Sequence, residues 1–159
     1  MPYLLAFFMF FVAMHQAQAC EPCPEMATLA EVVEMAELIV IGHRDDAPWF
    51  FDDNNSNDGP SQIKIKIQQV LKGQTERDII TVSSWAGMCG YGIIMFKETA
   101  LLLLKAQEGS GVYAPPDHCG PKQFTIIDGW LNTQNMRGSE LINVPLMPVD
   151  EFRETYLKE

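Results

Sequence analysis

Gln62 to Leu71 reads QIKIKIQQVL, with Ile63, Ile65 and Ile67 alternating with Lys64, Lys66 and Gln68. Successive strand side chains point to opposite faces, so a period of two predicts a strand with one buried and one wet face. Lys72-Gly73 closes it with turn chemistry. Upstream, Leu38-Ile39-Val40-Ile41-Gly42-His43 is apolar without alternation, the pattern of a strand covered on both sides. Downstream, Ile79 to Ser84 (IITVSS) reads as a third strand and Thr99 to Lys105 (TALLLLK) as a fourth, apolar enough to be central. Val112-Tyr113 and Phe124 to Ile127 supply short late strands, set apart by Pro115-Pro116 and Gly120-Pro121.

Two short helices are predicted at the flanks. Thr28 followed by Glu31 fits a capping box, and Leu29, Val32, Val33 and Ala36 share one stripe, so Leu29 to Glu37 reads as a helix. From Asp128 the pattern loosens, and Pro145 and Pro148 mark a coil. Val149 to Lys158 then reads as an amphipathic helix with Val149, Phe152 and Tyr156 inward. Four to six strands and one early helix, on about 110 residues of a chain with room for one domain, predict an all-β fold, a small closed barrel.

Composition narrows the function by exclusion. Lys plus Arg is 11 against 21 Asp plus Glu, a net charge of −10. That field repels phosphate backbones and anionic lipid, so neither nucleic acid nor a membrane surface is an expected partner. No Walker loop, GxGxxG or HExxH occurs, and with 3 His a large metal cluster is not expected. Asn54, Ser56, Asp58 and Gly59 fit the opening positions of a calcium loop, but Ile65 stands where a bidentate Glu is required. The stretch Asp45 to Gly59 therefore reads as a solvated loop, with Trp49, Phe50 and Phe51 packing back on the barrel or, as the alternative, forming a contact patch. His43 reads as a polar strand-end residue and His118 as a loop residue; no acid, base or nucleophile constellation is visible, so no enzyme and no cofactor are expected.

Leu4 to Met14 (LLAFFMFFVAM) is an apolar run that ends in a polar stretch with Ala17-Gln18-Ala19. Spanning a bilayer takes about 20 apolar residues, whereas small residues at −3 and −1 suit signal peptidase. Residues 1–19 are expected to be a signal peptide, with Cys20 opening a secreted or periplasmic chain. The rival readings are a signal anchor or a buried helix, since Met1-Pro2-Tyr3 carries no Lys or Arg. Lipoprotein-type processing would acylate Cys20 and tether it to a membrane, but Ala17 stands where such signals carry Leu.

All four cysteines, Cys20, Cys23, Cys89 and Cys119, follow that cleavage site. An even count in an exported chain reads as two disulfides, with three connectivities open. Cys20-Glu21-Pro22-Cys23 also has the CxxC spacing of a redox pair. Such a pair normally opens a helix after a strand, and this one sits at the mature terminus. A four-thiolate zinc site and a Cys119/His118 dyad are weaker alternatives.

In order along the chain, these features resemble the netrin-like (NTR) domain, and more narrowly the inhibitory domain of tissue inhibitors of metalloproteinases and their bacterial relatives. A cysteine pair stands at the mature terminus, and a short helix leads into Ala36-Glu37-Leu38-Ile39-Val40-Ile41-Gly42. Ile63 to Lys66 runs on to Val70-Leu71-Lys72-Gly73, and Cys89-Gly90 precedes the Leu-rich strand before Cys119. The match covers about Cys20 to Ile127, giving a signal peptide over 1–19, an NTR/OB-like domain over 20–127 and a C-terminal extension over 128–159. The resemblance implies a five-stranded OB-type barrel with Cys20 bridged to Cys89 and Cys23 to Cys119.

It also implies an inhibitory edge of Cys20, Glu21 and Pro22. In the animal inhibitors the free α-amine and carbonyl of the first cysteine chelate the protease's catalytic zinc, displacing its water. This chain differs in spacing, Cys-x-x-Cys for Cys-x-Cys, and in placing charged Glu21 at the position that enters the protease pocket. The expected function is therefore an exported, disulfide-stabilised protein-binding module. Inhibition of a zinc metalloprotease through Cys20, which needs no metal of its own, is the first alternative, and a CxxC redox protein the second.

Overall fold

The computed structural model describes residues 25–45, 62–84, 92–93, 98–117, 119–137 and 140–158, with backbone alone for 134–137, 140 and 141. The expected signal peptide 1–19, Cys20, Glu21, Pro22, Cys23, Trp49, Phe50, Phe51, nearly all of the polar loop, Cys89 and His118 lie outside those residues. In chain order the elements are α1 (Leu29–Met35), β1 (Leu38–Arg44), β2 (Gln62–Lys72), β3 (Ile79–Ser83), β4 (Ala100–Ala106) and β5 (Val112–Ala114). They continue with β6 (Gln123–Ile127), β7 (Trp130–Arg137), β8 (Glu140–Pro148) and α2 (Val149–Tyr156).

Five strands close into a barrel. Neighbours run β1-β2-β3-β5-β4, and β4 pairs back with β1, Leu38 opposite Leu104 and Gly42 opposite Ala100. All of these pairings are antiparallel except β3 with β5. Closing so few strands demands strong coiling. The long strand β2 provides it, with register shifts against β1 between Ile39 and Val40 and between Ile41 and Gly42.

The barrel interior is filled by Leu38, Val40, Ile63, Ile65, Ile80, Val82, Ile93, Ala100, Leu102 and Leu104. The alternate residues Ile39, Ile41, Leu101 and Leu103 point outward into a second core, shared with Val32, Val33 and Ala36 of the α1 segment, Phe124, Leu131 and Phe152. This explains the two patterns in the sequence. β1 and β4 are apolar throughout because both faces are covered. β2 alternates because Lys64 and Lys66 face solvent while Ile63 and Ile65 fill the barrel.

Beyond Asp128 the structure corrects the expected coil. β4 shares one edge between β5 and β6, and β6, β7 and β8 continue the sheet as an antiparallel meander. Asp128 (φ 50) and Gly129 (φ 79) form the turn between Ile127 and Trp130, both at positive φ as a two-residue hairpin turn of the primed type requires. Pro145 and Pro148 do not break β8 because its one partner among the described strands is β7. On an edge strand a missing N–H can face away from the ladder. α2 returns over the sheet: Val149 N donates to Gly129 O at 3.0 Å. Phe152 is fully buried, with Tyr156 packed against it at a ring-centroid distance of 5.3 Å.

The inward stripe of α2 matches the residues read from sequence, because Val149, Phe152 and Tyr156 all pack on the second core. Truncating a buried Phe costs about 3–5 kcal/mol. Phe152→Ala should therefore lower the urea midpoint by that much stability while Glu154→Ala leaves it unchanged; equal midpoints for Phe152→Ala and the parent would show that α2 does not seal the second core.

Candidate functional site

The first described residues, Glu25 to Thr28, lead into α1. Thr28 sets the start of the helix. Its backbone N–H and its hydroxyl both donate to Glu31 Oε2 at 2.8 Å, and its Oγ1 accepts from Glu31 N at 3.3 Å. This is the capping box expected from the sequence. The backbone N–H of Thr28, and then its hydroxyl, hold the Glu31 carboxyl below its usual value of 4.5.

The other end of α1 is held by the turn after β2. Lys72 Nζ donates to Val33 O at 2.7 Å and to Glu34 O at 3.2 Å, placing a cation on the orphan carbonyls of the last turn. Gly73 sits at φ +79, and a Cβ there would stand 2.1 Å from Glu37 O. Glu37 is fastened in turn to β4, its N donating to Leu104 O and its Oε2 accepting from Ala106 N. The Lys72-Gly73 pair thus does more than reverse the chain: it clasps α1 against the barrel.

The third wall is the segment before β6. Asp117 Oδ1 accepts from Cys119 N at 3.0 Å. A Cβ on Gly120 would lie 2.6 Å from Val32 Cγ2 and 3.3 Å from Ala27 Cβ, so Gly120 lets this segment lie directly on α1 and its approach. Cys119 is disulfide-bonded. Desolvation holds Lys122 below the usual lysine value, opposed by the negative charge of Asp117.

Along the outward face of α1, between its approach and Asp117, lies an open groove of 410 Å³ lined by Glu25, Met26, Ala27, Glu31, Glu34, Met35 and Asp117. It follows from the helix periodicity. Val32, Val33 and Ala36 face the core, so Glu31, Glu34 and Met35 share the outward face. None of the lining residues is basic. Among the described residues no cluster of His, Cys, Asp and Glu is arranged to hold a metal ion.

Of the site residues read from sequence, the structure describes Cys119, next to Gly120 that lies on α1 and Ala27; Cys20, Glu21, Pro22, Cys23 and Cys89 lie outside the described residues. His43 is half-buried in β1, with Nδ1 3.3 Å from Gln68 Nε2. The sequence reading missed Met26, Glu34, Met35 and Asp117. The spacing of Glu31, Glu34 and Met35 was a usable signal for the helix face, whereas nothing local brings Asp117 to it. No protein-family model, curated protein or solved structure matches this chain.

Two outcomes check this construction. Removing the Lys72 cation in Lys72→Met should lower stability by about 1 kcal/mol in urea unfolding; an unchanged midpoint would reject the clasp. Because the folded Glu31 carboxyl titrates below 4.5, its contribution is complete above that pH and disappears as pH falls through the lower folded value. The stability gap between the parent and Glu31→Gln should therefore narrow below pH 4.5, whereas a gap constant with pH would reject the charged cap.

Proposed function

We propose that this chain is an exported, disulfide-stabilised NTR/OB-type module that binds another protein through the ridge formed by its mature N-terminus. The observation that carries this reading is the oxidised Cys119 lying against the approach to α1 on a closed barrel. The strand circuit β1-β2-β3-β5-β4-β1, with β3 and β5 parallel, supports the OB-type assignment. So does the use of Lys72-Gly73 to clasp the leading helix.

The resemblance to the NTR family implies a bridge from Cys23 to Cys119, and the fold leaves that bridge within reach. Ala27 stands close beside Gly120, and four residues of extended chain reach about 14 Å, enough to bring Cys23 to Cys119. The resemblance to the NTR family pairs Cys20 with Cys89 as the second bridge. Each closes a long loop, which in the chain-entropy account adds about 3–4 kcal/mol. Two bridges would hold the terminal segment rigid, so little conformational freedom is lost when a partner docks on it. A binding role, with no chemistry performed by the chain itself, needs only that rigid edge.

Unreduced peptide mapping of the exported full chain tests the edge. The expected result is an unmodified Cys20 terminus with Cys20–Cys89 and Cys23–Cys119 bridges; a Cys20–Cys23 bridge or an acylated Cys20 would overturn it. A photo-crosslinker at position 22, but not one at Glu108 in the β4–β5 turn, should then form one discrete protein adduct that excess unlabelled chain suppresses. Absence of such an adduct from the native exported fraction would overturn the binding reading. The same mapping excludes the narrower inhibitor reading if Cys20 is blocked, since chelation of a protease zinc requires a free Cys20 amine.

A further inference from the structure

The groove along α1 has a chemistry that specifies what fits it. Its floor is apolar: Met26 is 76% exposed and Met35 42%, with Ala27 between the walls. Thioether side chains are unbranched and adapt to varied apolar shapes, so they recur at peptide-binding surfaces. Its rim is acidic, with Glu25, Glu31, Glu34 and Asp117 around the floor and no basic residue in the lining. Glu31 stays ionised through its cap, so one rim charge is fixed in place.

We propose that this groove receives a cationic and apolar segment of the protein partner, a Lys- or Arg-bearing strip that lays its aliphatic stems on Met26 and Met35 and its charged heads on the carboxylate rim. The proposal rests on the protein-binding reading and names the chemistry of the partner. Charge complementarity decides among occupants. The chain carries −10, so a second copy, an anionic lipid and a phosphate backbone all meet repulsion at this rim. Lys and Arg suit the floor as well as the rim, because their methylene stems cover apolar surface while the head stays in water. Opposite charges around an apolar contact also steer encounter and exclude acidic competitors.

The test uses the oxidised full chain with 13C-methyl methionine, its Met26 and Met35 signals assigned with Met26→Leu and Met35→Leu. The probe is a synthetic amphipathic Leu/Lys peptide, with a Leu/Glu peptide of the same pattern as control. The Leu/Lys peptide should shift both methyl signals saturably, and the Leu/Glu peptide should not. The double variant Glu25→Gln, Glu34→Gln removes two rim charges, neither of which carries a cap bond, and should weaken binding roughly fivefold. The double variant Glu108→Gln, Asp128→Asn, in the β4–β5 and β6–β7 turns, should leave affinity within about twofold.

Equal weakening by both double variants would assign the binding to the diffuse field of the chain and overturn the proposal, as would unmoved methyl signals. Shifts that track protein concentration without peptide would place a second copy in the groove and overturn it too. The crosslinking experiment fails independently: an adduct at position 22 with unmoved methyls removes the cationic segment alone, and shifted methyls without an adduct remove the ridge as the docking edge.

Discussion

The structure depends on the burial of both faces of two adjacent strands. β1 and β4 lie antiparallel, with Leu38, Val40, Leu102 and Leu104 inside the barrel and Ile39, Ile41, Leu101 and Leu103 outside it. A barrel alone satisfies the first set. The second would stand in water, at about 1.5–3 kcal/mol for each large aliphatic side chain, unless something covered it. α1 and α2 are that cover, and both are too short to be stable in isolation. Barrel and helices are therefore mutually dependent, which is why the chain carries helices at both ends of its sheet.

That dependence shapes the candidate site. α1 must be held onto the outer face of β1, and it is held at three points: the capping box at Thr28, the Lys72 ammonium on its last carbonyls, and the close approach of Gly120 to Val32. The approach to α1 is consequently fixed in place before any cysteine bridge is considered. The oxidised Cys119 lies at the third of these points. A surface assembled from three separate parts of the chain, each pinned for reasons of stability, is suited to rigid recognition because ordering it on binding costs little.

The strand-forming segments were legible because their burial patterns are local. QIKIKIQQVL alternates, and TALLLLK does not. The capping box was legible because Thr28 and Glu31 act over three residues. The β6–β7–β8 meander was not read, although Asp128-Gly129 between β6 and β7 is a strong turn pair. Its prolines were taken as breakers, and their tolerance depends on β8 lying at the edge of the sheet, a property of neighbours and not of sequence. The role of Lys72-Gly73 as a clasp was hidden for a similar reason, since a turn pair says where a chain reverses but not which carbonyls it meets.

The sequence by itself determined the buried strands β1 and β4, the alternation of β2, the inward stripes of the two helices and where those helices begin. These are consequences of periodicity, and periodicity needs no partner. Tertiary structure alone decided the circuit in which β4 closes on β1, the burial of Phe152 against the outer face of the barrel, and the meeting of Asp117 with Met26, Glu34 and Met35 in one groove. Those depend on which distant segments share an edge or a face. Many pairings bury similar apolar area, and only the packing of the complete chain selects among them.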